Sequence, residues 1–100
     1  MSSNYAQLRT EHRRLTILRI LAEDPGYTVN SSIIADILPE WGQKVSRDVI
    51  HADFAWLAEQ GLVETEERGS VHVAQLTQRG ADVAGGVAHV PGVKRPGPGG

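Results

Sequence analysis

The sequence predicts one small domain that is mainly α-helical and carries a single β-hairpin. Of its 100 residues, 40% are apolar, 22% are charged and 5% are aromatic, which is typical of one globular domain. Three segments with helical features precede two short extended runs, and a Pro- and Gly-rich segment ends the chain. We expect three helices and a hairpin within residues 1–90, and a flexible, disordered tail over residues 91–100.

The first helix is predicted from Asn4 to Glu23, a stretch without Gly or Pro that an Asp-Pro-Gly sequence ends. Its second half, residues 15–22, is apolar except for a narrow polar stripe and should be buried on almost every side. A three-helix core of this size covers less apolar surface than this segment offers. We therefore expect a symmetric homodimer through helix one; in a monomer, the segment around Val83 and Val87 must cover the excess.

The second helix is predicted from Ser31 to Leu38, with Asn30 as its N-cap. A turn over residues 39–44 follows it. The third helix is predicted from Arg47 to Gln60, because Ser46 is a good N-cap and Gly61 stands where a left-handed residue ends a helix. A hydrophobic staple and a Schellman contact are expected from the pairs Val45 with Ile50 and Leu57 with Leu62.

The pattern beyond Gly61 changes from helical spacing to two extended runs, residues 62–66 and 71–76, which predict the hairpin. Thr77 then favours a last short helical turn that ends at Ala84. We expect one core formed by the apolar side chains of these elements: Leu18, Leu21, Ile34, Ile50, Phe54, Leu57, Leu62 and Leu76.

Several classes of protein are excluded by residues that the sequence lacks. The chain has no cysteine, so thiolate metal sites and disulfides are impossible. Its longest apolar run is far shorter than a membrane span, and its N-terminus has no small-residue cleavage site, so we expect a cytoplasmic protein. No phosphate-binding loop, nucleophile elbow or paired carboxylates are recognisable, which predicts a protein that is not an enzyme and needs no cofactor.

Two stretches resemble bacterial winged-helix regulators. VSRDVIHADFAWLAEQGLVE is similar to their recognition helix and first wing strand, and LTQRGADVA is similar to the segment that closes their wing. The small size and the VPGVKRP stretch resemble, more narrowly, the ArsR-like winged-helix proteins of Mu-like transposable phages. The resemblance covers about Leu8 to Ala84. It implies a winged helix-turn-helix fold and a DNA-binding protein of the transcriptional-regulator type, encoded by a phage or prophage.

In winged-helix regulators the exposed face near the start of the third helix enters the major groove. The resemblance therefore implies that DNA meets the corresponding side chains: Ser46, Arg47, Asp48, His51, Ala52 and Ala55. Arg47 has the geometry to contact guanine with two hydrogen bonds, and Ser46 or His51 could donate to a phosphate or a base edge. An ordinary solvated helix face explains the same residues equally well.

Charge is distributed unevenly along the chain. Residues 1–22 carry a net charge of +3, residues 23–82 carry −7 and the remainder carries +2. A DNA-binding wing would need Lys or Arg, whereas this wing carries Glu64, Glu66 and Glu67, so Arg68 and His72 are its only cationic candidates. The remaining candidates for phosphate contacts are the arginines of helix one and the basic residues of the tail: Arg9, Arg13, Arg14, Lys94 and Arg95.

Two further interpretations follow from the residues. The acidic middle segment favours a winged-helix module that binds a phage or host protein, with little or no DNA binding. The ArsR resemblance suggests a metal sensor, in which Asp48, His51 and Asp53 would be hard ligands; however, Asp53 points away from the other two on a helix, so we expect no metal site. Trp41 and Trp56 are expected in or beside the core rather than at an interface.

Overall fold

A computed structural model describes residues 2–97. Along the chain, the strands of one small sheet are interspersed between the helices. The first helix and the third agree with the prediction to within two residues at each end. The elements of the described chain are α1 (Ser2–Glu23), β1 (Thr28–Asn30), α2 (Ser31–Ile37), a 3-10 turn (Leu38–Trp41), α3 (Arg47–Glu59), β2 (Val63–Arg68), β3 (Val71–Leu76) and α4 (Gln78–Ala84).

The sheet has three antiparallel strands in the order β1-β3-β2. Cross-strand partners include Val29 with Ala74 in the β1–β3 pair and Glu67 with His72 in the β2–β3 pair. The prediction of three helices plus a hairpin was therefore incomplete, because the described chain has four α-helices and a third strand. Strand β1 is three residues long and follows Tyr27, which has a left-handed φ of 55°. Such a strand has no periodicity of its own and forms by pairing with β3.

The caps that the sequence predicts at the two ends of α3 are confirmed. The Ser46 hydroxyl accepts a hydrogen bond from the Val49 amide at 3.3 Å. At the other end, the Leu62 amide donates to the Leu57 carbonyl at 3.0 Å, and Gly61 adopts a φ of 75°. This is the Schellman ending that the sequence predicts. The caps fix the register of α3 and hence the side chains that it exposes.

The core lies between α1, α2, α3 and the inner face of the sheet. Seven of the eight predicted core residues are buried, whereas Leu76 is only partly buried. The apolar half of α1 packs against α4 and β3, so Leu15, Leu18 and Leu21 are covered within one chain. This covering removes the reason for expecting a dimer through residues 15–22. Val83 takes part in it, but Val87 is 82% exposed.

The segment after α4 folds back along α1, in contrast to the predicted boundary at residue 90. Val93 is 2% exposed, and the Lys94 amide donates to the Glu11 carbonyl at 3.2 Å. Gly92 has a φ of 101°, and a Cβ at this position would lie 2.6 Å from the Trp56 ring. Residues 91–94 therefore pack on the domain, although their composition suggested a disordered tail. The end of that predicted tail, residues 98–100, lies outside the described residues.

Candidate nucleic-acid interface

The outward face of α3 is exposed as predicted. Arg47, Asp48, Ala52 and Ala55 are all exposed on it, and helical spacing places residues 48, 52 and 55 on one stripe. Ser46 is also exposed, but its hydroxyl is already used to cap the helix. The stripe ends in small side chains, so another surface could approach the α3 backbone closely.

His51 lies at the edge of this face rather than on it. Its Nε2 atom shares a hydrogen bond with the buried Ser31 hydroxyl at 2.9 Å. Its ring stacks on His72 of β3, with 3.6 Å between the ring centroids and 9° between the planes. His51 is therefore engaged within the domain by Ser31 and His72, and its predicted part in reading DNA stays a prediction. The ring links α2, α3 and the wing, and holds the wing beside the exposed face of α3.

Burial lowers the pKa of His51 below its ordinary value, and the neighbouring His72 and Arg47 lower it further. Asp48 and Glu67 oppose these effects. The folded protein therefore disfavours the protonated ring, whereas an unfolded chain takes up this proton near pH 6.5. Below that pH the unfolded state binds more protons, so folding stability must fall on acidification.

We expect His51→Gln to reduce this loss of stability on acidification, because glutamine preserves a polar partner for Ser31 but does not titrate. Urea unfolding at pH 8.0 and pH 5.5 measures the difference for the wild type and for the variant. A smaller difference in the variant confirms the linkage. Equal differences in the two proteins would show that His51 titrates alike in the folded and unfolded states.

The wing that His72 helps to position is acidic. Glu64, Glu66 and Glu67 are exposed on β2. Arg68, the cation expected to reach phosphate, instead pairs with Glu66 at 3.1 Å in a solvent-exposed contact. Glu67 lies 3.7 Å from the His72 ring nitrogen. This side of the exposed face of α3 therefore offers little positive charge to a nucleic acid.

The opposite flank of α3 is built from Trp56, which packs against α1 and the C-terminal segment. The Arg14 guanidinium lies 3.8 Å from the centre of the Trp56 ring and donates to the Gly92 carbonyl at 2.9 Å. Arg13 donates from two nitrogens to the buried carboxylate of Asp53. Arg13 and Arg14 are thus structural residues, which corrects their assignment as phosphate contacts.

Beyond this flank lies a group of exposed cationic or titratable residues. The path of the C-terminal segment along α1 brings Lys94 to the side of Arg9 and His12, and Arg95 follows Lys94 in the chain; all four residues are exposed. We call these four residues the basic cluster. Burial lowers the pKa of His12, and Lys94 and Arg9 lower it further. Two of the predicted phosphate-binding residues, Arg9 and Lys94, therefore share one surface.

The structure also shows residues that the sequence analysis missed. Lys44 is exposed two residues before the Ser46 cap; its position shortly before α3 was the available signal. The contact of His72 with His51 had no signal, since 21 residues separate them. Asp53 is engaged by Arg13, away from Asp48 and His51, and within residues 2–97 no three potential ligands form a metal cluster.

Comparison with solved structures gives the fold a name. The chain superposes on the complex structure of hsRosR-S1 with a TM-score of 0.59 and 27% identity, covering 69% of this chain and 61% of that one. For hsRosR-S4 the TM-score is 0.60 and the identity 26%, covering 71% of this chain and 61% of that one. Both are RosR winged-helix regulators, and the chain spans about three fifths of their length. The fold is therefore a winged helix, as the resemblance implied.

None of the described helices has both the length and the hydropathy needed to cross a membrane. No protein-family model matches the chain. An uncharacterized protein of Haemophilus influenzae is 42% identical over 77 residues, which cover 76% of this chain and 74% of that protein. The uncharacterized protein gp26 of Escherichia phage Mu is 52% identical over 89 residues, which cover 89% of this chain and 92% of gp26. This similarity shows that the chain belongs to the family of phage Mu gp26.

Proposed function

We propose that the chain is a DNA-binding protein of the transcriptional-regulator type, encoded by a phage or prophage and active in the cytoplasm. The observation that carries this proposal is the exposed stripe of α3, held between the wing and the basic cluster. The stripe consists of Asp48, Ala52 and Ala55, and Arg47 is exposed beside it at the first position of the helix. Small side chains allow a helix to enter the major groove, and an arginine at the start of the helix is placed to read guanine.

The contacts with the DNA backbone come mainly from the side of α3 away from the wing. The wing presents three glutamates, whereas the other flank leads to the basic cluster. Phosphate neutralisation supplies most nonspecific affinity. We therefore assign the phosphate contacts to Lys44 and the basic cluster. The likeness to the RosR regulators supports the DNA-binding fold, and the relationship to gp26 supports the phage origin.

This arrangement predicts a moderate dependence of DNA affinity on salt. Five exposed cations, Lys44, Arg47, Arg9, Lys94 and Arg95, give a slope of log affinity against log salt of about −4.5. The double variant Lys94→Ala/Arg95→Ala should reduce the magnitude of this slope by roughly 2, because two phosphate contacts are lost. Fluorescence anisotropy with a random-sequence duplex, titrated from 20 to 200 mM salt, measures both slopes.

The matched control is Arg68→Ala, which removes a cation already paired with Glu66 on the wing. We expect the control to leave the slope unchanged. A larger effect of Arg68→Ala than of the double variant would place the DNA backbone on the wing instead. No binding by the wild type at micromolar protein in 20 mM salt would contradict DNA binding altogether.

The second candidate function is a protein-binding module for a phage or host protein, and acidic surface favours it. The wing glutamates repel phosphate, and Glu23 and Asp24 line a further surface between α1 and α2. A module of this kind would show no salt-dependent affinity for duplex DNA. The same anisotropy titration therefore distinguishes the two candidates.

A symmetric homodimer through helix one is the alternative outcome for self-association of this chain. Since residues 15–22 are covered within one chain, such a dimer would have to use the first half of α1, where Tyr5 and Leu8 are exposed. The narrower resemblance to ArsR-like proteins is compatible with this arrangement.

A further inference from the structure

The first half of α1 projects from the domain with no partner in the described chain. All six residues from Asn4 to Arg9 are exposed. Tyr5 and Leu8 are 62% and 55% exposed and lie on one side of the helix, together with Arg9, whose guanidinium sits over the Tyr5 ring. His12 and Lys94 border the same stripe, as does Glu11, whose carboxylate accepts a hydrogen bond from Gln7. We call it the projecting stripe; it is apolar at its centre, and cations outnumber the single carboxylate at its edge.

An apolar groove lies at the other end of α1, between that helix and α2. Its volume is about 300 Å³, and its apolar lining is Ile20, Val29, Ile33, Ile37 and Trp41. Ile33 and Trp41 are 45% and 39% exposed. The charge of its lining is negative: Glu23 and Asp24 line the groove. Asp36 and Glu40 are exposed on the two elements that carry Ile33 and Trp41. Arg19 lies in a separate depression on the other side of Trp41.

The two surfaces match in chemistry and in dimensions. Apolar side chains flanked by cations face an apolar floor rimmed by carboxylates, which is charge complementarity of the kind that selects partners. From Ile33 to Trp41 the groove wall spans eight residues, or roughly 12 to 14 Å at helical rises. Tyr5 and Leu8 are about 4.5 Å apart along α1. The groove is therefore long enough to take both side chains.

A single chain cannot make this contact with itself. Helix α1 is continuous from Ser2 to Glu23, so Leu8 and Glu23 are held roughly 22 Å apart at 1.5 Å per residue. The occupant of the groove must come from another molecule. A symmetric pairing of two projecting stripes would bring the cations of both copies together and would leave the groove empty.

We propose that the projecting stripe of one copy docks in the acidic groove between α1 and α2 of a second copy. The contact joins two different surfaces, so a pair of copies is left with one free stripe and one free groove. Such heterologous contacts extend into open chains unless a rotation closes them into a ring. The proposal can be tested without DNA, because neither surface includes the exposed face of α3. The stripe shares Arg9, His12 and Lys94 with the basic cluster, so docking and duplex binding would compete for these residues.

The test uses the full chain, with sedimentation velocity from 5 µM to 1 mM. Leu8→Glu disables the stripe, Ile33→Glu disables the groove, and Val87→Glu is the control, because Val87 is an exposed apolar residue in neither surface. We expect the wild type and the control to grow beyond a dimer as concentration rises. Each of the other variants should associate at least about tenfold more weakly, because a buried aliphatic side chain contributes that much.

Sedimentation of an equal mixture of Leu8→Glu and Ile33→Glu distinguishes a contact between unlike surfaces from a symmetric one. The intact groove of the first variant accepts the intact stripe of the second, so the mixture should form dimers and stop there. Should Ile33→Glu melt below the control, Glu23→Lys replaces it, since Glu23 is exposed at the groove rim. A wild type that stays monomeric to 1 mM would overturn the proposal. So would association that Leu8→Glu abolishes and both groove variants leave intact, which is the signature of a symmetric dimer.

Discussion

Asp53→Ala should remove about 3 to 5 kcal/mol of folding stability, because it leaves a buried cation without its counter-ion. The Asp53 carboxylate accepts from two nitrogens of Arg13, one of them at 3.2 Å, and both side chains are almost fully buried. A domain of this size has only about 5 to 15 kcal/mol of stability in total. Urea unfolding should show the midpoint falling steeply.

Two companion variants separate this ion pair from other causes. Glu59→Ala removes an exposed carboxylate from the same helix and should change stability by no more than about 0.5 kcal/mol. Arg13→Met combined with Asp53→Leu replaces the pair by apolar groups and should recover most of the loss. If Asp53→Ala were as stable as Glu59→Ala, the ion pair between α1 and α3 would be absent in solution.

Leu57→Ala should cost about 2 to 5 kcal/mol, since it opens a cavity at the centre of the core. Leu57 is completely buried and lies one turn after Phe54 on the inward face of α3. Leu8→Ala makes the same chemical change at an exposed site and is the matched control. Thermal unfolding at low micromolar protein compares the two variants. An unchanged melting temperature for Leu57→Ala would mean that α3 packs on a different face.

The features that the sequence predicted correctly depend on neighbouring residues. The residues that determine the Ser46 cap, the Gly61 ending and the inward stripe of α3 lie within fifteen positions of one another, so this geometry follows from local chemistry. The same holds for Asn30 and Thr77, whose side chains cap α2 and α4. Correct placement of α3 was enough to predict which of its residues are exposed.

The features that the sequence did not predict depend on distant contacts. Charged residues are usually solvated, so Arg13 was assigned to DNA; its partner Asp53 lies forty residues away. Strand β1 is defined by β3 and not by its own three residues. Val93 stands in a Pro- and Gly-rich segment, and only the fold of α1 provides the surface that buries it. His51 and His72 likewise meet only after the wing has folded.

Those distant contacts decide the electrostatics of the candidate interface. The packing of residues 91–94 moves positive charge to the basic cluster, on the flank of α3 opposite the wing. The stack of His51 on His72 holds an acidic wing against the other flank. This chain therefore presents the exposed face of α3 between surfaces of opposite charge, and the proposed DNA binding predicts that a duplex lies closer to the basic side.

Duplex binding by the exposed face of α3 is tested most directly by Ala52→Glu, measured by anisotropy at 20 mM salt beside the control Val87→Glu. Both variants add one negative charge at an exposed site, but only Ala52 lies at the centre of the α3 stripe. We expect Ala52→Glu to weaken binding at least about tenfold, since a carboxylate in the groove faces phosphates and acceptor-rich base edges. The control should bind as the wild type does. Equal affinities for Ala52→Glu and Val87→Glu would show that α3 does not enter the DNA.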